Sequence, residues 1–267
     1  MKKFGLIGEK LPHSFSKILH SIAFEILNLD YEYELYEIDL NTAYDIKSFM
    51  IDNELDGINV TIPYKETVIK SLDSISEEAK KIGAVNTIKN IKGKLYGYNT
   101  DYYGFLYTLK SNDININNKT VVILGSGGAS KAVIECVKDL NAKSIYLVSR
   151  NKTDKETKDG IVLIDYKDLE DIKGEVLINT TPVGMYPKVD FSPVGEDIIN
   201  NFNNVVDVVY NPLETKLMKT ANKLGKNSFS GLTMLIMQGL KSEEIWNDFK
   251  LTKQEIDLIE NKIKKEI

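Results

Sequence analysis

Thr120-Val121-Val122-Ile123-Leu124-Gly125-Ser126-Gly127-Gly128-Ala129-Ser130 is the stretch that decides the architecture. Its first five residues are β-branched or aliphatic with little polar alternation, the pattern of a central parallel strand buried on both faces. Gly125 then permits a tight turn. Gly127 and Gly128, with Ser126 and Ala129 in the same loop, let backbone amides approach a pyrophosphate at the N-terminus of the next helix. Ser130 holds the last small position and still allows close helix–strand packing. A helix over 130–140 and a second strand over 144–148 complete a βαβ unit. A glycine-rich turn with no ligand would share the composition, but the strand before it and the helix after it favour dinucleotide binding.

The end of the second strand bears on which dinucleotide. An acid about 20 residues past the loop would hold ribose hydroxyls. Here the chain reads Val148-Ser149-Arg150-Asn151-Lys152, with no acid. Arg150 and Lys152, with the Ser149 hydroxyl, suit a ribose 2′-phosphate, which a carboxylate would repel. The expected cofactor is therefore NADP, although an exposed basic turn would read the same way. Arg150 is also the only arginine among 34 basic residues, in a chain that otherwise uses lysine wherever a point charge suffices.

Working outward, 267 residues with 42% hydrophobic and 27% charged content describe an ordinary globular chain of one large or two modest domains. A net charge of -5 argues against a general nucleic-acid binder. The single cysteine, Cys136, rules out an intrachain disulfide or a cysteine zinc cluster and suits a reducing cytoplasm. No stretch approaches the roughly 20 apolar residues of a membrane helix, and no His/Cys/Asp cluster suggests a metal. Strands are expected at 3–7, 33–38, 57–61, 84–88 and 95–98, with helices at 18–27 and 46–55 and another opened by Pro63. Beyond the βαβ unit, strands are expected at 161–164, 176–179 and 205–209, and helices at 232–249 and 251–267. The fold class is α/β with two lobes: residues 1–101 form an α/β substrate domain and 102–237 a Rossmann-type cofactor domain. Helices in 238–267 return to the substrate lobe.

Four polar segments mark the first lobe: His13-Ser14-Phe15-Ser16, Asn59-Val60-Thr61-Ile62-Pro63-Tyr64-Lys65, Gly83-Ala84-Val85-Asn86-Thr87 and Asn99-Thr100-Asp101. Each has a plain structural alternative. Ser14 or Ser16 would cap the following helix, Asn59 and Thr61 would finish a strand, and Asp101 would cap a helix starting near Tyr102. Lys65 would sit in the first turn of the helix opened by Pro63, opposing its macrodipole by about 0.3–1 kcal/mol. That field would favour the neutral amine that proton transfer uses.

Taken together, these segments closely resemble the shikimate dehydrogenase family. The resemblance begins at Gly5-Leu6-Ile7-Gly8 and the paired serines, runs through the segments above and Gly125 to Ser130, and continues through Asn179-Thr180-Thr181-Pro182-Val183-Gly184-Met185. It ends with Asp207-Val208-Val209-Tyr210-Asn211-Pro212 and Gly231-Leu232 to Gln238. It implies NADPH-dependent, reversible reduction of 3-dehydroshikimate to shikimate in aromatic amino-acid (chorismate) biosynthesis, by a cytoplasmic monomer or homodimer without nucleic-acid or membrane partners. It further implies that Ser14 and Ser16 bind the substrate carboxylate. Asn59, Thr61, Asn86, Asp101 and Gln238 would contact ring hydroxyls, with Tyr210 lining the site. Lys65 and Asp101 match the catalytic pair, and Thr180 and Gly231 fall in segments near the nicotinamide, so that the chemistry would lie between the lobes.

Several positions leave the family pattern. Lys17 stands where proline usually follows the second serine. Ser149-Arg150-Asn151 replaces Asn-Arg-Thr, and 151–160 is too short for the usual helix. Glu243 takes the place of an aromatic residue, which reads as a packing change, while His20 reads as needing no special chemistry. The competing readings are a quinate/shikimate dehydrogenase with relaxed substrate or NAD use, another two-lobed dehydrogenase, and a catalytically silent NADP-binding sensor.

Overall fold

The computed structural model describes residues 1–12, 14–150 and 156–266, with the backbone alone at 156–158. The chain forms two compact units, Met1–Gly104 with Ile236–Ile267, and Phe105–Leu235. Both divisions fall inside helices, α5 and α9 below.

The first unit is built on a six-stranded mixed sheet. Its elements are β1 Lys2–Gly8, α1 Ser16–Ile26, β2 Tyr31–Glu37, α2 Leu40–Tyr44, α3 Ile46–Asp52, β3 Gly57–Val60, β4 Ser74–Ile75, α4 Glu77–Ile82, β5 Thr87–Ile91, β6 Lys94–Tyr98 and the start of α5 Thr100–Ser111. The strand order is β2-β1-β3-β5-β6-β4. β1 runs parallel to β2 and β3, and β5 is antiparallel to β3 and β6. Residues alternate across β1, so its two faces feed two cores. Ile7 joins Ile58, Val60, Val85 and Ile88 on one side. Phe4 and Leu6 join Phe24, Tyr33 and Trp246 on the other.

Pro63 does not open an α-helix. Residues 62–66 form turns, and a single 3₁₀ segment follows at Thr67–Ser71. Lys65 therefore lies ahead of any helix, and the macrodipole argument for a neutral amine has no structural basis. Thr87, rather than Ala84, begins β5, because 83–86 lead into the sheet as a connection.

The second unit follows the order expected of a doubly wound sheet. β7 Thr120–Leu124, α6 Gly128–Asp139, β8 Ser144–Val148, β9 Glu156–Lys158, β10 Ile161–Ile164, β11 Gly174–Asn179, α7 Glu196–Ile199, β12 Phe202–Asp207, α8 Lys216–Lys223 and β13 Asn227–Ser230 lead into α9 Leu232–Asn247. Strand order is β13-β12-β11-β7-β8-β10-β9. All pairings are parallel except β9 with β10. The chain leaves β7 toward β8 and β10, then returns to its other side at β11, so the switch point lies between β7 and β11, where such sheets bind ligands. Residues 205–209, expected as a strand, are split: β12 ends at Asp207 and the chain turns away.

Two helices close the chain, α9 and α10 Lys253–Glu266. Within the first unit, Trp246 of α9 stacks on Phe4, with ring centroids 4.6 Å apart, and its indole Nε1 donates to the Ile88 carbonyl at 2.9 Å. The indole passes so close to Gly57 that a Cβ there would lie 2.4 Å from Nε1. Gly57→Ala is accordingly expected to lower stability by about 1–3 kcal/mol through overpacking, measured by urea denaturation. A loss too small to resolve would mean that the indole moves aside without cost.

Candidate functional site

Asn86 is the hub of the first unit's polar cluster. It follows the left-handed Gly83 that ends α4 and is 3% exposed. Its Nδ2 donates to Thr100 Oγ1 and to Asp101 Oδ1, each at 3.0 Å, and reaches Gln238 Oε1 at 3.5 Å. Its Oδ1 accepts from the Thr100 amide at 2.7 Å. The backbone of Asn86 is committed too, donating to Tyr98 and accepting from Val60.

Asp101 lies in the first turn of α5, where the helix dipole favours a carboxylate. The side chain that caps this helix is Asn99, whose Oδ1 accepts from the Tyr102 amide at 3.4 Å, so Asp101 is left free of capping. Asp101 Oδ2 instead accepts from Lys65 Nζ at 2.6 Å. The Lys65 and Asp101 side chains are 18% and 13% exposed. The pair is thus sheltered yet reachable from solvent, and the carboxylate's second oxygen is held by Asn86. The Lys65 carbonyl accepts from Val85 N at 2.8 Å, which ties the lysine turn to the segment carrying Asn86.

Asn59, on β3, extends the cluster. Its Nδ2 donates to Thr87 Oγ1 at 3.0 Å and Ser242 Oγ at 2.9 Å. Thr87 and Thr100 stood in the segments quoted from the sequence without a role of their own, and Ser242 was not singled out. Ser242 carried one signal, its position four residues after Gln238, which puts both on one face of α9. Ser14 and Ser16 are half-buried at the start of α1, and neither makes a side-chain cap; Ser14 Oγ only accepts from Ser16 N at 3.3 Å. Thr61 donates its amide to Ile7 O at 2.9 Å, and its side chain lies against Gly8. What gathers here is an ammonium–carboxylate pair beside neutral amides and hydroxyls, a donor and acceptor set suited to a polyhydroxylated ligand.

The second unit holds a separate cavity of about 220 Å³ at the switch point, bounded by Gly125, Ser126 and Gly127, by Ser149 and Arg150, and by Thr180. Gly125 has φ +96, a left-handed conformation that an L side chain rarely adopts. Gly127 stands at the N-cap of α6 without a side-chain cap, and a Cβ on Gly127 or Gly128 would project into open space. The first amides of α6 are therefore available to an anion. Ala129 is half-buried within that first turn. Ser126 Oγ lies 3.5 Å from Ser149 Oγ, and Thr180 Oγ1 donates to Leu124 O at 2.8 Å. Lys152 lies outside the described residues. Thr181 and Pro182, of the 179–185 segment, also line this cavity, as does Tyr166, which was not anticipated. Burial raises the Tyr166 phenol, and the neighbouring Arg150 charge opposes that shift. Gly231 N donates to Val209 O at 3.2 Å, and Tyr210 is half-buried, its phenol raised by burial. Among the described residues no group of His, Cys, Asp and Glu could hold a metal ion, and no helix is long and apolar enough to cross a membrane.

Comparison with known proteins bears directly on these two sites. Residues 6–88 match the model of the shikimate dehydrogenase substrate binding domain. A shikimate dehydrogenase (NADP(+)) of Clostridium beijerinckii is 47% identical over 272 residues, covering 99% of this chain and 100% of its own. The chain belongs to the shikimate dehydrogenase family. The crystal structure of shikimate dehydrogenase 1 from Peptoclostridium difficile is 45% identical, with a TM-score of 0.92 and coverage of 100% of this chain and 99% of that one. A shikimate 5-dehydrogenase from Thermus thermophilus, solved in complex with NADP(H) and shikimate, is 28% identical, with a TM-score of 0.85 and coverage of 98% and 99%.

In this member of the shikimate dehydrogenase family, the loop after β11 is braced by a buried carboxyl. Asp207 is 0% exposed. It accepts from Asn179 Nδ2 at 2.9 Å, Thr215 Oγ1 at 2.7 Å and Val209 N at 3.1 Å. Asn179 Oδ1 in turn accepts from the Thr181 amide and hydroxyl at 3.0 and 2.7 Å. Burial raises Asp207 from the usual 3.8 to about 6 against the pull of those three donors. Below about pH 4 the group is protonated folded and unfolded, so it makes no pH-dependent contribution. Above about pH 6 the folded protein carries the buried charge. Stability attributable to Asp207 therefore falls as pH rises across that window, by on the order of 3 kcal/mol. Urea denaturation across the window is expected to show this component in the parent and not in Asp207→Asn. Identical pH dependence in both would contradict it.

Proposed function

We propose that this chain catalyses the reversible NADP-dependent interconversion of shikimate and 3-dehydroshikimate, in keeping with one relative named shikimate dehydrogenase (NADP(+)) and another solved with NADP(H) and shikimate. The observation that carries the reading is the Lys65–Asp101 pair set among Asn86, Asn59 and Gln238. We assign substrate binding and acid–base work to residues 1–101, with helices from 238–267, and cofactor binding to 102–237. A buried free thiol at Cys136 is in keeping with a cytoplasmic enzyme.

Bound NADP supplies the hydride acceptor for oxidation and, when reduced, the donor for the reverse reaction. The cavity after β7 fits that group. Uncapped amides of α6 face the space that Gly127 and Gly128 leave open, and Arg150 with Ser149 offers donors to a 2′-phosphate. Thr180 and Gly231 fall to the nicotinamide end.

In the reductive direction the Lys65 ammonium stabilises negative charge growing on the carbonyl oxygen of the ring and delivers the proton. In the oxidative direction the neutral amine takes the proton from the hydroxyl. Asp101 holds Nζ through Oδ2 and accepts a hydrogen bond from the substrate. Ser14 and Ser16 meet the carboxylate, and Asn59, Thr61, Asn86 and Gln238 pair the ring hydroxyls. A site that pairs several hydroxyls discriminates against analogues lacking them, because its own buried groups are then left unpaired.

Lys65→Ala is expected to lower kcat by about 10²–10⁴-fold, the usual worth of positioned acid–base assistance, while NADP⁺ affinity by fluorescence titration stays at the parental value. Turnover within a few-fold of the parent would remove Lys65 from the chemistry.

A further inference from the structure

The polar cluster continues past Asn59 into the aromatic layer between the sheet and α1. The Asn86 carbonyl accepts only, so the Asn59 atom facing it at 3.3 Å is Nδ2. Asn59 Oδ1 is thereby turned toward Tyr33, whose phenol donates to it at 2.8 Å. One buried oxygen on β2 thus sets the orientation of a residue of β3. Tyr33 is 3% exposed, so the bond is sheltered from solvent.

The Tyr33 ring is fixed from behind. It lies flat on the His20 imidazole, centroids 4.1 Å apart and planes 9° apart. His20 Nδ1 meets Glu243 Oε1, and both residues are fully buried. The imidazole plane is set by that bond. Glu243 Oε2 accepts from Asn247 Nδ2 at 3.2 Å, and Asn247 Oδ1 accepts from Lys2 Nζ at 2.9 Å. Position 243 is therefore no simple packing change, and His20 is no isolated core histidine. A buried pair of this kind costs desolvation that apolar side chains would avoid; what it adds here is a fixed orientation for the ring that Tyr33 rests on.

We propose that Tyr33, held in plane by the His20–Glu243 pair, is a positioning residue of the substrate subsite. It fixes the Asn59 carboxamide, and so sets affinity for the hydroxylated ring without touching the reacting atoms. The claim rests on the assignment of Asn59 to the substrate made above.

Tyr33→Phe keeps the ring stack and removes one oxygen. In the full-length enzyme it is expected to raise KM for shikimate about tenfold, equivalent to about 1.4 kcal/mol, with kcat and KM for NADP⁺ within twofold of the parent. Glu243→Gln retains a hydrogen-bonding partner for His20 Nδ1 and is expected to keep KM for shikimate within about threefold, whereas Glu243→Ala raises it as Tyr33→Phe does. If Glu243→Ala does not fold, Tyr33→Phe and Glu243→Gln still decide the matter. An unchanged KM in Tyr33→Phe overturns the proposal. So does a uniform loss of kcat, both KM values and melting temperature, the mark of a purely structural role. Asn59→Ala, measured alongside, separates the two levels. If it raises KM for shikimate while Tyr33→Phe does not, only the positioning role fails. If it leaves KM unchanged, the substrate assignment fails and the positioning role with it.

Discussion

Burying a carboxamide with every donor and acceptor used is the constraint from which the first unit's chemistry follows. Asn86 receives the Thr100 amide, holds Asp101 and shares Gln238, while its own peptide is bonded to both neighbouring strands. Leaving any of these buried groups unpaired costs about 1–3 kcal/mol. The β5–β6 hairpin, the start of α5 and the lysine turn are therefore held in one arrangement. The Lys65–Asp101 pair inherits its geometry from that arrangement. A surface lysine and aspartate would gain little from pairing; here the carboxylate is anchored first, and the ammonium is aimed by it.

The second unit uses the same device with a different group. Asp207 is buried at the end of β12, where three donors tie it to the loop after β11 and the start of α8. Through Asn179 it fixes Thr181, beside Gly125 at the switch point. In both units a buried polar residue at the end of a strand shapes the neighbouring loop, Asn86 just before β5 and Asp207 at the close of β12. The strands supply position, and these anchors supply direction.

Legibility in the sequence tracked apolar runs. The strands at 120–124, 144–148 and 161–164 were readable to the residue from such runs, with β7 buried almost throughout and β8 and β10 only in part. β13, reading Asn-Ser-Phe-Ser at the sheet edge, carries no such signal, nor does β9 at the other edge. Pro63 suggested a helix because proline suits a first turn, yet here it sits within a run of turns that ends in the 3₁₀ segment. Lys65, Asp101 and Asn86 stood out through the short polar segments that carry the family resemblance. Thr87 and Thr100 lie in the same segments but, like Ser242, did not stand out by themselves, since single hydroxyls in strands and helices are commonplace and only the register of β5 with β6 and the pitch of α9 bring them together. The Glu243–His20 pair spans 223 positions, which no local pattern can reveal.

The central claim is that these two sites together make an NADP-dependent shikimate dehydrogenase. The most direct measurement is the initial rate of nicotinamide reduction by the purified full-length protein with shikimate or quinate, each against NADP⁺ and NAD⁺. Robust turnover with shikimate and NADP⁺ alone is the expected result. Comparable rates with NAD⁺ or quinate would contradict the specificity assigned to the site, and no turnover by folded protein that still binds NADP⁺ would contradict the assignment as an enzyme.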